Sequence, residues 1–265
     1  MGNDSANAPC RPARSADFEG NLMTNLYERE DAYIPRVAAI HDLCGYGKCS
    51  LGVAIPVLSA AGCDVCPVPT GLFSSHTAFP GWYMHDTTDI LGDYLAAWAG
   101  IGVELDAVYS GFLGAPEQVD IIKQVWETYP KALRVVDPVM ADHGKVYPTY
   151  TPELVEAMGT LANGADILTP NLTEAAIILG EPIGDDWCGT DISDAEAARM
   201  IDALVAKGAK HVVLKGIQRE GESVIRNFVG GVDCDMFEAA NEYLPYMLHG
   251  TGDLYCSCLM AAVMA

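Results

Sequence analysis

The stretch DAVYSGFLGAPEQVDIIKQVWETYPKALRVVDP (residues 106–138) contains the unit that decides the fold. It opens with one short apolar run, DAVYSG, and closes with another, LRVVDP, and both have the length of a buried strand. Between them apolar residues recur at helical spacing, at Val119, Ile122, Val125 and Trp126. A strand, a helix and a second strand in this order predict two parallel strands joined by a crossover helix.

The same alternation continues along most of the chain. Strand-like runs lie near residues 36, 64, 106, 133, 165 and 211, and helical patterns separate them. Residues 49–62 are helical in pattern, with Pro56 expected to kink or restart the helix, and a turn at Gly230-Gly231 predicts a hairpin. The pattern predicts an α/β three-layer sandwich with a mostly parallel central sheet and helices on both faces.

Two regions differ in composition. Residues 1–33 are polar and aperiodic, which predicts a disordered or loosely attached leader, and residues 34–265 then form a single domain. The chain has 15 Lys and Arg against 36 Asp and Glu, a net charge of −21 that disfavours nucleic-acid binding. No apolar run reaches the roughly 20 residues of a membrane span, and the first residues lack an apolar signal core, so we expect a cytoplasmic protein.

The cysteines indicate a reducing compartment. There are nine, an odd number, and most lie in apolar contexts. Cys63 and Cys66 have the spacing of a zinc or redox pair, but no second pair accompanies them. We therefore interpret them as buried strand cysteines.

Ligands of such sheets bind beyond the carboxyl ends of the strands, so polar residues that follow strands are candidate site residues. Acidic and amide side chains follow several strands and would meet at one edge. Their mutual repulsion needs a cation, and hard oxygen ligands suggest Mg²⁺ held together with substrate phosphates. The candidates are Asp42, Phe73, His76, Thr77, Asp137, Asp142, Asn171, Glu174 and Lys215.

The turn Gly250-Thr251-Gly252 followed by Asp253 supplies a complementary site. Glycines let backbone N–H groups approach an anion closely, and the helix behind them adds positive potential. Asp253 is then placed to take a proton from an attacking hydroxyl. Stabilised phosphoryl charge and a proton acceptor are the two needs of phosphoryl transfer.

Each candidate also has a purely structural interpretation. Asp253 is a common type of first-turn acid, and Asn171 with Glu174 forms an ordinary helix cap. Asp137 before Pro138 is a frequent turn opener, and Lys215 reads as a solvated strand end. His41 and His76 suit structural roles. Residues 71–86 fit either a flap over a flat ring or simple packing of their aromatic residues, which are Phe73, Phe79, Trp82 and Tyr83.

Taken together, the motifs resemble a known family from about residue 36 to residue 265. G-T-G-D (250–253), V-D-P-V-M (136–140) and T-P-N-L-T-E (169–174) resemble the ribokinase-like superfamily. F-S-S-H-T (73–77), Y-S-G-F-L-G (109–114) and I-H-D-L-C-G-Y-G (40–47) are similar to its pyridoxal/pyridoxamine kinase branch. The resemblance implies an ATP-dependent kinase that phosphorylates the 5′-hydroxyl of vitamin B6 vitamers.

The resemblance also implies a role for each candidate. Asp253 falls on the catalytic base, and Gly250, Thr251 and Gly252 fall on the anion hole. The ATP and Mg²⁺ site would use Asp137, Asn171 and Glu174, with Asp137 and Glu174 acting on the metal mostly through water, and also Asp142 and Lys215. The vitamer site would use Asp42, Phe73, His76, Thr77 and Phe112. Members of the branch are commonly homodimers, and a monovalent cation such as K⁺ often supports the anion-hole loop.

Three departures from the family pattern are visible. Asp42 stands where pyridoxal kinases usually have Ser, and Phe112 stands where Tyr is frequent. The chain ends at Ala265, so we expect the final helix of the family to be missing. Two alternatives stay open at this point: a hydroxymethylpyrimidine kinase of the same fold, and a non-catalytic protein that senses vitamers.

Overall fold

The computed structural model describes residues 26–183, 191–244, 246 and 248–265. Its central feature is a nine-stranded sheet, and a separate two-stranded hairpin stands beside it. The strands are β1 (Arg36–Tyr46), β2 (Asp64–Ser75), β3 (Met84–Asp86), β4 (Ala107–Ser110), β5 (Leu133–Val136), β6 (Ala141–Asp142), β7 (Lys145–Val146), β8 (Ile167–Leu168), β9 (His211–Gln218), β10 (Val224–Gly231) and β11 (Cys234–Glu242). The helices are α1 (Leu51–Ala60), α2 (Thr88–Gly100), α3 (Pro116–Thr128), α4 (Pro152–Gly159), α5 (Leu172–Leu179), α6 (Asp194–Ala206) and α7 (Thr251–Val263).

The sheet is parallel in its centre and antiparallel at both edges. Its order is β11-β10-β9-β8-β5-β4-β1-β2-β3, and the pairs from β9 through β2 are parallel. The hairpin predicted around Gly230-Gly231 forms the antiparallel edge β10–β11. The short strand β3 pairs antiparallel with β2 at the other edge. The predicted α/β fold with a mostly parallel sheet is confirmed.

Two apolar cores lie on opposite faces of this sheet. Val37 and Ala39 of β1 face the core that α1 and α7 cover. Ala38 and Ile40, which alternate with them, face the larger core that α2 to α6 cover. Because neighbouring side chains of a strand point to opposite faces, one fully buried strand serves both cores. The result is the predicted three-layer arrangement.

Four elements differ from the sequence prediction. β1 runs on to Tyr46 and β2 to Ser75, so Asp42 and Phe73 lie within strands and do not follow them. β3 was not predicted, since three residues carry no readable periodicity. α1 passes through Pro56 without ending there.

The described part of the predicted leader contacts the domain. The hydroxyl of Tyr33 donates to Asp106 Oδ2 at 2.9 Å, and Leu26 and Tyr27 pack against the α1–α7 core. Residues 1–25 lie outside the described residues. Within the described ranges, none of the helices combines the length and the apolar character that crossing a bilayer requires.

Candidate active site

The G-T-G-D turn is built by close backbone packing between the starts of α1 and α7. Gly250 has a φ of 77°, and a Cβ atom at this position would lie 2.2 Å from the carbonyl oxygen of Lys48. Only glycine fits both the left-handed backbone and this contact. The first N–H groups of α7 have no acceptor inside the helix, so the turn presents donors where the helix dipole is positive.

Asp253 lies in the first turn of α7 and is held by the neighbouring segment. Its Oδ2 accepts a hydrogen bond of 2.9 Å from the backbone N–H of Ser50. Ser50 has a φ of 48°, unusual for a residue with a side chain, and such strain is typically kept at functional sites. Burial raises the pKa of Asp253 to about 7, although the Ser50 hydrogen bond opposes this rise. The carboxylate is therefore poised to exchange a proton near neutral pH.

Lys215 connects the anion-hole turn to the acid that ends β5. Its Nζ contacts Asp137 Oδ1 at 2.5 Å, and the two side chains are only 11% and 1% exposed. A Cβ added to Gly252 would lie 3.5 Å from the same Nζ, so the ammonium group stands beside the turn. Burial opposes the charge of Lys215, but the carboxylates of Asp137 and Glu174 raise its pKa above the ordinary value. Lys215 is thus a buried cation, which contradicts the alternative of a solvated strand end.

Asn171 and Glu174 form a complete capping box at the start of α5. Asn171 Oδ1 accepts from the N–H of Glu174 at 2.9 Å, and Glu174 Oε2 accepts from the N–H of Asn171 at 2.8 Å. Glu174 Oε1 also accepts from the N–H of Met140, in the loop that follows β5, at 3.2 Å. Burial raises the pKa of Glu174 to about 8, with Lys215 opposing the rise and Asp137 adding to it. The cap interpretation is correct, and the same cap places a buried carboxyl beside the Asp137–Lys215 pair.

An aromatic cluster lies next to this charged group. Phe73 packs edge-on against Phe112 with ring centroids 5.5 Å apart, and it packs at a tilt against Trp82 at 5.7 Å. Phe112 in turn contacts Tyr150 at 5.6 Å. Phe73 and Phe112 are buried, so packing accounts for much of what they do. A flat ligand ring would meet the edge of this cluster.

Asp42 is buried in β1 beside the same region. Its Oδ2 accepts a hydrogen bond from the Cys44 thiol at 3.6 Å, and burial raises its pKa. Its charge also contributes to the raised pKa of Asp253. The charges of Asp137 and Asp42 raise the pKa of Asp253, whereas the charge of Lys215 lowers it, so these predicted residues lie close enough to act on one another.

Other predicted residues stand further from this group. Asp142 lies in the β6–β7 hairpin, where its exposed carboxylate accepts from the N–H of His143 at 2.9 Å. His76 stacks on His249 with ring centroids 4.5 Å apart, which places the F-S-S-H-T segment against the residue that precedes the glycine turn. Thr77 is exposed. Burial and His249 lower the pKa of His76.

His41 is a structural core histidine. It is fully buried, its ring meets Tyr109 edge-on at 4.3 Å, and burial lowers its pKa to about 3. Neither ring nitrogen has a hydrogen-bond partner among the described residues. It is therefore neutral at physiological pH.

Sequence reasoning missed Ser50 and the two cysteines near it. Ser50 contacts Asp253 across 203 positions of the chain, and no local pattern announces such a contact. Cys44 and Cys49 approach Asp42 only after β1 and α1 are placed. A signal that could have found Ser50 is its position directly before a helix, where serine commonly caps.

Comparison with known proteins identifies the family of this chain. The Phosphomethylpyrimidine kinase family matches residues 58–265. The pyridoxal kinase PdxY of Paraburkholderia xenovorans is 33% identical over 241 residues, which cover 86% of this chain and 80% of that protein. The match covers between 62% and 65% of the length of the first three curated relatives, which are also pyridoxal kinases.

Solved structures give the same result. A Bacteroides thetaiotaomicron protein assigned to the phosphomethylpyrimidine kinases, in a crystal form with pyridoxal, has a TM-score of 0.82 and 34% identity. The match covers 88% of this chain and 81% of that one. Pyridoxal kinase from Lactobacillus plantarum has a TM-score of 0.76 and 30% identity, covering 87% and 81%. The chain therefore belongs to the phosphomethylpyrimidine kinase family, in the pyridoxal kinase branch of the ribokinase-like superfamily.

Proposed function

We propose that this chain transfers a phosphoryl group from ATP to the 5′-hydroxyl of a vitamin B6 vitamer, which is pyridoxal, pyridoxamine or pyridoxine. The names of its relatives supply the substrate class. The observation that carries the proposal is the position of Asp253, a partly buried carboxylate at the N-terminus of α7, next to the glycine turn and Lys215. A proton acceptor and a set of anion-binding donors thus lie side by side.

Asp253 acts as the general base in this proposal. In its ionised form it accepts the proton of the 5′-hydroxyl as that oxygen attacks the γ-phosphorus of ATP. The N–H groups of Gly250, Thr251 and Gly252 face the transferred group and stabilise its charge, as oriented backbone donors do in other transfer reactions. The Ser50 N–H fixes the Asp253 carboxylate, so the base does not need to reorient during the reaction.

The residues around Lys215 fit a nucleotide phosphate site with Mg²⁺. Asp137 Oδ1 is used by Lys215, but its buried Oδ2 has no partner among the described residues, and it can accept from a water bound to the metal. Both oxygens of Glu174 already accept from backbone N–H groups, so Glu174 would act through water. Bound Mg²⁺ would neutralise charge between the phosphates. The backbone N–H of Asn171 orients the Glu174 carboxylate, and the exposed Asp142 adds an acidic group in the β6–β7 hairpin.

The vitamer would lie against β1 and β2. Asp42 offers a carboxylate that can pair with a protonated pyridine nitrogen or accept from a ring substituent. Phe73 and Phe112 supply apolar edges for the ring, while His76 and Thr77 stand at the exposed end of the same segment. Since Asp42 replaces the usual serine, we expect a vitamer preference different from that of serine-bearing relatives.

Further parts of the proposal come from the family resemblance and from composition. They are a homodimeric assembly, a monovalent cation such as K⁺ beside the glycine turn, a cytoplasmic location, and the absence of nucleic-acid and membrane partners. The acidic charge of −21 supports the exclusion of nucleic acid.

A substrate panel tests the proposed activity. ADP release would be measured in a coupled assay with pyridoxal, pyridoxamine, pyridoxine and hydroxymethylpyrimidine, with the Asp253→Asn protein as the background control. We expect at least one B6 vitamer to be the best substrate. Turnover of the pyrimidine alone would assign the second candidate function, which the name of the matching family favours.

The third candidate is a vitamer-binding protein without catalysis. Titration of pyridoxal against the protein, with and without MgATP, separates it from a kinase. Tight vitamer binding with no ADP formed under any metal condition would contradict the proposed kinase.

A further inference from the structure

Three potential metal ligands lie together at the base of the proposed vitamer site. One ligand atom each from Asp42, Cys44 and Cys49 lies within 4.8 Å of the other two. Asp42 and Cys49 are buried, and Cys44 is partly exposed. Both thiols are free, so neither is used in a disulfide within the described structure. Nothing in the proposed phosphoryl transfer requires two thiols at this position.

The spacing of these atoms suits a tetrahedral metal ion. Cys44 Sγ and Asp42 Oδ2 are 3.6 Å apart. Bonds of about 2.3 Å to sulfur and about 2.0 Å to oxygen, at the tetrahedral angle, place the two ligand atoms roughly 3.5 Å apart. The Asp42–Cys44 pair therefore already has the spacing of a metal site, and the Cys49 ligand atom lies within 4.8 Å of both. Cys44 is partly exposed, which is consistent with a water as the fourth ligand.

The surroundings also favour a cation over an empty thiol pair. The Cys44 contact and burial raise the pKa of the Cys49 thiol, and the charges of Asp42 and Asp253 add to this rise. The thiol therefore keeps its proton until a cation displaces it, and the two nearby carboxylates supply the negative potential that attracts that cation. Two thiolates and a carboxylate are a soft and borderline donor set, which selects Zn²⁺-like ions over Mg²⁺. The C-x-x-C pair Cys63 and Cys66 does not form such a group with a third ligand within the searched part of the chain.

We propose that Asp42, Cys44 and Cys49 bind a thiophilic divalent cation such as Zn²⁺, with water in the fourth position. The two thiols bind as thiolates and release their protons to solvent. The site is separate from the Mg²⁺ and phosphate side, which is built on Asp137 and Glu174.

Occupancy of this site would inhibit the kinase, and this second step rests on the proposed function. Cys49 directly precedes Ser50, whose N–H holds Asp253. A cation that draws Cys49 towards Asp42 and Cys44 would therefore shift the segment that positions the base. It also takes the Asp42 carboxylate away from the vitamer, so metal and vitamer compete.

Cobalt binding tests the site without using the reaction. The reduced full chain would be titrated with Co²⁺ in the absence of nucleotide, and thiolate-to-cobalt charge-transfer absorption would be recorded. We expect this absorption with a stoichiometry of one, and at least about tenfold weaker binding in Cys44→Ser and in Cys49→Ser. The Cys63→Ser/Cys66→Ser double variant is the matched control and should bind Co²⁺ like the parent.

Two results of the cobalt titration would contradict the proposed site. Co²⁺ binding without thiolate absorption, or binding that survives both Cys44→Ser and Cys49→Ser, would overturn the proposed site. Thermal unfolding of each variant shows that the fold is kept, and the two independent serine variants guard against one unstable protein.

Inhibition is measured separately from binding. In the ADP-release assay at fixed MgATP, added Zn²⁺ should inhibit the parent and the Cys63→Ser/Cys66→Ser control at least about tenfold more strongly than Cys44→Ser. Raising the vitamer concentration should relieve this inhibition. Equal inhibition of all three proteins would mean that Zn²⁺ acts on the nucleotide side, which contradicts the coupling. If the chain has no kinase activity at all, the cobalt result still stands by itself.

Discussion

Two residues, Asp253 and Lys215, set the charge balance of the candidate site. Asp253 gains stability as an anion from one backbone N–H, and Lys215 stays charged because Asp137 lies in contact with it. The Lys215 side chain is only 11% exposed and Asp253 is partly buried, so each depends on its partner more than a fully exposed charge does. Substitutions at these two positions therefore have different and separable consequences.

The pH dependence of kcat/KM should follow the ionisation of the Asp253 carboxyl. Its pKa is raised to about 7, and only the ionised form accepts a proton, so the active fraction falls as the pH drops below about 7. We expect kcat/KM to rise with pH and level off above neutrality, measured with a vitamer whose own ionisation is known. Asp253→Asn should lower kcat by about 10²–10⁴-fold with ATP binding retained. Near-normal kcat in that variant would remove Asp253 from the mechanism.

Lys215 should contribute to the free energy of unfolding as well as to ATP binding. Lys215→Met leaves the buried Asp137 without its cation, and breaking a buried pair in this way costs about 3–5 kcal/mol. Lys210→Met is the control: Lys210 also pairs with an aspartate, but its side chain is 62% exposed, so we expect a cost below about 1 kcal/mol. Urea unfolding measures both. Equal costs would show that the Lys215 pair is effectively solvated.

At the scale of elements, the site is held by the first turns of two helices. The capping box fixes α5, and the glycine turn fixes α7 against the start of α1. The capping box and the glycine turn could both be predicted from the sequence, because they depend on residues close together in the chain. The extension of β2 to Ser75 was not readable, since it comes from pairing with the three-residue strand β3 and with the far end of β1.

Substitution of Asn171, which caps α5, can distinguish a structural role of this residue from a functional one. Asn171→Ala and Ser193→Ala each remove a side chain that caps a helix, and each should cost about 0.5–2 kcal/mol. Only Asn171→Ala should also lower kcat, because the Asn171 side chain also donates to the carbonyl oxygen of Ala141 at 2.7 Å and so holds β6 against the start of α5, beside Glu174. The comparison uses denaturant unfolding together with steady-state kinetics. Unchanged kcat in Asn171→Ala would leave the residue with capping alone.

The glycine turn can be tested with a matched pair of glycines. Gly250 and Gly180 have φ values of 77° and 74°, but only at Gly250 would a Cβ meet a backbone atom, at 2.2 Å. Gly180→Ala should therefore cost only the left-handed penalty, about 1–2 kcal/mol. Gly250→Ala should cost more and should impair ATP turnover, because α7 must move away from Lys48. Similar unfolding midpoints for the two variants would argue against the close packing.

At the scale of the whole molecule, the sequence predicted the architecture better than the site. The alternation of apolar runs and helical patterns gave the parallel order, since each βαβ unit is local in the chain. The burial of Lys215 was not foreseen, because it depends on strands β5, β8 and β9 meeting. The Ser50–Asp253 contact likewise requires α1 and α7 on the same face.

The net charge of −21 should weaken the binding of ATP more than the binding of the vitamer, because ATP is a polyanion. Salt shortens the screening length from about 30 Å at 0.01 M to about 8 Å at 0.15 M, which weakens repulsion of a polyanion. We expect the KM for ATP to fall over this range while that for pyridoxine changes little. Tetramethylammonium chloride is the salt of choice, since K⁺ could act at the glycine turn. A rising KM for ATP would mean that the local field of Lys215 and α7 dominates.

The length of β1 and β2 has one more consequence. They continue well beyond β4, the short neighbour of β1, and Phe73 is paired with Cys44 on this extension, whereas Asp42 lies at the irregularity between His41 and Leu43. A paired strand keeps its backbone shape when a single side chain is exchanged. Substitution of Phe73 should thus alter ligand preference without any change in the backbone, whereas substitution of Asp42 acts at the one place where this strand pair departs from regular register.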